Sequence, residues 1–176
     1  MKALVVYESM YGNTAAIGEA ITASLREQGL DVEESLVTKI DAARTVDFDL
    51  LLVGGPTHVH GMSRVSTRKA AVNDRNTFPE PTLDPGLREW LAQLPEAGGR
   101  LAGAFDTRFD KPRFLTGSAA RGIRHRLKGR GFRFVAEPES FLVSTENRLL
   151  EGEVERARTW AEEIAERARD VAALSR

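Results

Sequence analysis

The chain has 176 residues, with 25 Lys plus Arg against 26 Asp plus Glu and no cysteine, a length that suits one domain spanning 1–176 with a real hydrophobic core. The missing cysteines exclude disulfide scaffolds, thiolate metal sites and cysteine nucleophiles, and no apolar run approaches the ~20 residues that cross a bilayer. The net charge of −1 hides an asymmetry: nine basic residues and one acid fall between Thr107 and Phe134, leaving −9 on the remainder.

Lys2–Tyr7 is a short Val-rich run that suits a strand buried on both faces. It reaches Glu8 too soon for a secretory signal, so a cytoplasmic location is expected. The polar loop Glu8–Thr14 leads into a helix whose Ile17, Ala20, Ile21, Ser24 and Leu25 recur at spacings of three and four, with Gly29 placed to end it. Asp31–Thr38 reads as a second strand, and Asp49–Val53 as a third, ended by Gly54-Gly55-Pro56. A long crossover follows, with a helix expected near Ser63–Val72 and a bend through Pro79, Pro81 and Pro85. The next helix is expected to start at Pro85 with Asp84 as its cap and Leu87, Trp90, Leu91 and Leu94 as its apolar stripe. Arg100–Phe105 is a fourth strand. Ser118 caps a basic helix running to Arg130, with Ala119, Ala120, Ile123 and Leu127 inward. Phe132–Val143 is a fifth strand, interrupted near Pro138. The last helix, Glu151–Leu174, turns Val154, Ala157, Ala161, Ile164, Ala168 and Val171 inward.

Alternating strands and helices build a parallel sheet covered by helices on both faces. Such sheets bind ligands beyond the carboxyl ends of their strands. The loops after the first, third and fourth strands sit there, and they are the three most unusual segments of the chain. The first offers Ser9, Tyr11 and Thr14 hydroxyls, the Asn13 amide and Gly12 at a helix N-terminus, a setting for a phosphate. A plain turn capped by Asn13 or Thr14 is the alternative. The loop lacks both G-x-x-x-x-G-K-[ST] and the three-glycine dinucleotide fingerprint.

Val5-Val6-Tyr7-Glu8-Ser9-Met10-Tyr11-Gly12-Asn13-Thr14 resembles the phosphate-binding signature of the flavodoxin family. The resemblance extends along nearly the whole chain in element order. It implies a flavodoxin-like, doubly wound five-stranded α/β sheet of order 2-1-3-4-5, with FMN as a non-covalent cofactor. One departure is Gly18, where the family prefers Ala; the expected cost is helix stability, about 1 kcal/mol at most.

The resemblance assigns phosphate contacts to Ser9, Met10, Tyr11, Gly12, Asn13 and Thr14. It makes Pro56, Thr57, His58, Val59, His60 and Gly61 a second loop beside the flavin ring, and Asp106, Thr107, Arg108 and Phe109 a third. Phe109 is either a stacking residue or ordinary packing, and Asp106 either accepts from the flavin ring or caps a turn. Acidic flavodoxins surround the ring with carboxylates. Arg108 would act oppositely and make the final one-electron potential less negative. His58 and His60 form an H-x-H pair with no neighbouring carboxylate or thiolate, which is weak metal chemistry, so no metal is expected.

Three other readings of this architecture fail. A receiver domain needs an acidic pair after the first strand and an Asp ending the third. A low-molecular-weight phosphatase needs a cysteine, and a Ser hydrolase needs a G-x-S-x-G elbow. The resemblance implies an FMN-binding electron carrier, shuttling electrons between a reductase and an acceptor as a monomer or homodimer, with no catalytic side chain required. One alternative is an NAD(P)H-dependent quinone or flavin reductase, similar to the tryptophan-repressor-binding-protein branch. Another is a redox-sensing module that docks a partner through the basic helix 118–130. Nucleic acid is not expected, since a pI near 6.3 lacks the basic footprint.

Overall fold

In the computed structural model, which describes residues 1–58, 61–72 and 85–174, β1 (Lys2–Tyr7) lies between β2 (Asp31–Leu36) and β3 (Leu50–His58), parallel to both. On the far side of β3 runs β5 (Leu101–Phe109), again parallel. β5 carries two short parallel partners along one edge: β6 (Arg133–Phe134) against its start and β7 (Glu139–Val143) against its end. The order β2-β1-β3-β5-β6 matches the expected 2-1-3-4-5, with the fifth strand divided into β6 and β7 around the break expected near Pro138.

The helices are α1 (Asn13–Glu27), α2 (Val65–Val72), α3 (Leu87–Ala92), α4 (Arg113–Thr116), α5 (Ala119–Gly129) and α6 (Glu153–Leu174), with a short 3-10 turn at Ala42–Asp47. Successive side chains of a strand point to opposite faces, and the two cores follow that alternation. Ala3, Val5, Leu50, Leu52 and Phe105 join α1 and α6 on one face. Leu4, Val6, Leu51, Val53, Ala102 and Ala104 join α3 and α5 on the other. On the α6 face Phe105, Phe141 and Trp160 meet edge to face, with ring centroids 6.2–6.5 Å apart. Such pairs add about 0.5–1.5 kcal/mol each beyond burial and hold β7 to the sheet.

Four sequence expectations change. Gly54-Gly55-Pro56 does not end the third strand, because all three residues stay in register with Phe105, Asp106 and Thr107 of β5. β1 stops at Tyr7 opposite Gly54, so Pro56 sits on a one-sided stretch where its missing N–H breaks no ladder. A β-carbon on Gly54 would lie 2.1 Å from the Phe105 ring, so the glycine serves close approach and not a turn. Beyond it β3 folds back on β4 (Gly61–Met62).

The fourth strand likewise continues to Phe109, because β7 pairs with it from Phe105 to Phe109. α3 starts at Leu87 after Gly86 and not at Pro85, although Leu87, Trp90, Leu91 and Leu94 are all buried as expected. Val154 is exposed, and Trp160 takes part in the α6 inner face instead. Pro79, Pro81 and the expected cap Asp84 lie outside the described residues.

Candidate functional site

The carboxyl ends of β1, β3 and β5 open into a cleft lined by Met10, Tyr11, Asn13, Thr14, Pro56, Thr57, His58, Thr107, Arg108 and Phe109, together with Val143 and Asn147. All three chemically unusual segments therefore meet in one place.

At the cleft floor, α1 begins after Gly12, which has a left-handed φ of 86° and contributes no capping side chain. Asn13 and Thr14 do not cap the helix. The Asn13 amide donates to the carbonyl of Asn147 at 2.8 Å, and Thr14 shares a buried hydroxyl–hydroxyl bond of 2.8 Å with Thr107 of β5. Ser9, fully buried, accepts from the Ala15 N–H at 3.3 Å. The Asn13 and Thr14 backbone amides have no acceptor among the described residues. With the positive end of the helix dipole, such amides can hold an anion.

Gly18 has a reason that the sequence did not show. A β-carbon there would stand 2.4 Å from the Tyr7 ring, which is buried in the α1–β1 interface with its hydroxyl donating to Glu34 at 2.7 Å. Burial and the Glu34 carboxylate push the Tyr7 phenol upward, so it remains a donor.

Asp106 is wholly buried, and the geometry settles its two readings as far as Oδ2 is concerned. That oxygen accepts from the Ser118 hydroxyl at 2.7 Å, the Ala120 N–H at 2.9 Å and the Thr57 hydroxyl at 3.1 Å. Thr57 in turn accepts from the Ala119 N–H at 2.8 Å. The carboxylate thus clamps the α5 N-terminus, where its charge complements the helix dipole, and links it to the β3 wall of the cleft. Oδ1 has no partner among the described residues.

Arg108 projects its guanidinium onto the backbone carbonyls of Lys111 at 2.7 Å and Phe109 at 3.2 Å. It orders the turn at the cleft rim, and burial lowers its affinity for its proton, with Arg113 adding to that effect and Asp106 opposing it. Phe109 is 40% exposed on the rim, so it is not ordinary core packing. His58 lines the cleft with Nε2 buried and unpartnered among the described residues. Burial pulls its imidazole below the usual range, so it is neutral at neutral pH. Gly61 pairs with His58 in the β3–β4 hairpin; Val59 and His60 lie outside the described residues. Among the described residues no group of three or more His, Cys, Asp or Glu is placed to hold a metal, and no helix is long and apolar enough to cross a membrane.

Sequence reasoning missed three participants. Val143 enters the cleft because β7 runs beside β5. Asn147, the one described non-glycine residue with positive φ (58°), comes from a turn 134 residues after Asn13; its residue type was the only available signal. Glu8 opens the 8–14 loop, fully buried, with Oε2 accepting from the Leu87 N–H at 2.8 Å. It supplies from 79 residues away the cap that α3 lacks locally.

The family model for flavodoxin matches residues 5–166. No curated protein matches by sequence. Among solved structures, the chain is similar to the flavodoxin of Streptococcus pneumonia TIGR4, with 21% identity, a TM-score of 0.69, and coverage of 94% of this chain and 99% of that one. It is similarly close to oxidised Flavodoxin 2 from Bacillus cereus, with 22% identity, a TM-score of 0.67 and coverage of 94% and 99%. A third likeness is to the rubredoxin oxygen:oxidoreductase of Desulfovibrio gigas, with 18% identity and a TM-score of 0.63; there 96% of this chain covers 36% of that one. At these identities the structures establish the fold, and the match across 5–166 establishes the rest: the chain belongs to the flavodoxin family of FMN-binding electron-transfer proteins.

Proposed function

We propose that this protein shuttles electrons between a reductase and an acceptor, with FMN held in the cleft, its phosphate on the 8–14 loop and its ring between the 56–61 and 106–109 segments. One observation carries the reading: an uncapped helix N-terminus at the floor of a cleft where the winding of the sheet reverses, ringed by neutral donors.

The residues present fit that cofactor. A phosphate dianion suits the Asn13 and Thr14 amides, which have no acceptor among the described residues, and the Ser9, Tyr11 and Thr14 hydroxyls. No Lys or Arg is needed, because the helix dipole supplies the positive field. Met10, Pro56, Phe109 and Val143 give the cleft apolar surface for a flat ring. His58 Nε2, buried and without a hydrogen-bond partner among the described residues, is a polar atom at the wall suited to bonding the ring edge. The flavin, when bound, supplies the capacity to take up and release electrons one at a time.

The chain's own residues position and tune. Thr14 and Thr107 tie the anion loop to β5. Asp106 ties the β3 and β5 walls to α5 through Thr57 and Ser118. Arg108 holds the rim turn and places a positive charge at the cleft. None of these roles calls for a catalytic acid or base.

Titrating the purified apoprotein with FMN, followed by the visible flavin band and by quenching of flavin fluorescence, tests the site. Saturable one-to-one binding supports it, and absence of saturation overturns it. The FMN-loaded protein mixed with NADPH and a quinone tests the carrier role. A carrier leaves the quinone oxidised until a separate reductase is added, and unaided turnover overturns it in favour of a reductase.

A further inference from the structure

The basic segment 107–134 is not consumed by the cleft. α5 turns Ala119, Ala120, Ile123 and Leu127 fully into the core. Its outer residues Arg121, Arg124, His125 and Lys128 fall at spacings of three and four and so share one face. That face, with Arg113 and Ser118, lines a groove bounded by Glu137 and Pro138. Among the described residues Arg124 is the groove cation that forms an ion pair, with Glu137, and its guanidinium also lies 5.4 Å from the Phe134 ring centroid. Arg113, Arg121 and Lys128 make no ion pair with any described residue.

Beside the groove stands α4, a four-residue helix that buries nothing. It holds Phe114 at 82% exposure and Leu115 at 53%, apolar area that gains nothing in the isolated chain. Both features are continuous with the cleft. Arg108 bonds the Lys111 carbonyl just before α4, and Ser118 and Ala120 at the start of α5 bond Asp106, the neighbour of cleft residue Thr107.

We propose that the α4–α5 face docks a redox partner protein whose own docking surface is acidic, its carboxylates seated in the basic groove and an apolar residue set against Phe114 and Leu115. This rests on the electron-carrier reading. Charge complementarity selects the occupant: unneutralised cations in one bounded groove attract an anionic surface, steer its approach and fix its orientation. The exposed aromatic beside them matches the apolar centre of a protein interface better than it matches a phosphate backbone. Docking here brings the partner to the rim at Phe109 and Arg108, which is where electrons must cross. The acid-rich remainder of the chain would repel such a partner elsewhere.

The test compares FMN-loaded wild type with the triple variant Arg113→Glu/Arg121→Glu/Lys128→Glu and with Phe114→Ser. None of these residues lines the cleft. Phe114 is exposed enough to change without a cost in folding. Reduced protein is reoxidised in a stopped-flow instrument by anionic ferricyanide and by cationic hexaammineruthenium, at low and high salt. At low salt the triple variant should lose about tenfold in rate with ferricyanide and gain with the cation, and both differences should fade at high salt. A synthetic Glu/Leu peptide should bind wild-type apoprotein and FMN-loaded protein alike, and weaken in both variants. Unchanged rates with both probes at normal FMN affinity overturn the docking proposal alone, as does binding confined to phosphatidylglycerol vesicles or to duplex DNA. Failure of the wild type to bind FMN overturns the carrier reading beneath it.

Discussion

Gly18→Ala sets two physical rules against each other. By helix propensity alone the change stabilises α1 by about 1 kcal/mol. The structure predicts the reverse. The new β-carbon would sit 2.4 and 2.5 Å from two ring carbons of Tyr7, more than an ångström inside the ~3.5–4.0 Å optimum for carbon atoms. The ring is confined, since Tyr7 is only 6% exposed and its hydroxyl bonds Glu34. Overpacking of a core site costs about 1–3 kcal/mol, so after the propensity gain the variant should lose about 1 kcal/mol. Urea unfolding of the apoprotein, followed by circular dichroism, measures this, and melting should fall by about 2–4 °C. Removing the ring reverses the sign. In the Tyr7→Val background Gly18→Ala should stabilise, giving a coupling of about 2 kcal/mol across the cycle. Stabilisation of the single variant by about 1 kcal/mol, with no coupling, would refute the reasoning.

Asp106→Ala strips an acceptor from three donors at once and should lower stability by about 3 kcal/mol, at roughly 1 kcal/mol for each stranded partner; a loss in urea unfolding below a third of that rejects the clamp. Thr14→Val keeps the side chain's shape but removes the bond to Thr107 and a donor to the anion site. FMN affinity should fall about tenfold, the equivalent of 1.4 kcal/mol, in a fluorescence titration, and an unchanged affinity counts against the phosphate assignment. Burial pushes the Glu8 carboxyl above its ordinary 4.5, against the pull of Ser63, the Leu87 amide and Arg68. The folded state therefore holds a proton that the unfolded chain releases, and stability declines as pH rises from 4.5 through the folded value. Glu8→Gln, which keeps an acceptor for Leu87, should flatten that decline; a stability–pH curve parallel to wild type contradicts it. Arg108→Gln removes a partly solvated positive charge at the cleft, and the flavin potential should become more negative by less than about 1 kcal/mol per electron, given screening. Identical potentials in an anaerobic titration would show that the guanidinium does not reach the ring.

The strands, the helix faces and the three loops that meet at the cleft were legible in the sequence because they rest on short-range signals. Lys2–Tyr7 and Asp49–Val53 read as strands, the first as one buried on both faces, and the two core clusters divide their apolar residues by alternation. The α5 stripe and its Ser118 cap, which accepts from the Arg121 N–H, depend on residues within three or four positions. The 8–14 loop was equally local, since its turn residues and hydroxyls lie within a few positions of the α1 start.

What the sequence by itself determined was therefore a parallel α/β sheet and the segments that meet at its carboxyl edge. Only the tertiary structure decided what those segments bond to. Gly54-Gly55-Pro56 looked like a strand terminator and became strand because β5 extends past β1 to pair with it. Asp106 looked available to a ligand, yet its Oδ2 is spent on α5 and Thr57, and Glu8 caps a helix 79 residues away. Gly18 looked like a defect and is room for Tyr7. Periodicity and turn chemistry register the neighbours a residue has along the chain. A buried carboxylate, or a glycine under a ring, is governed by whichever groups the fold brings within hydrogen-bond or contact distance, and those arrive from segments that carry no local mark of their meeting.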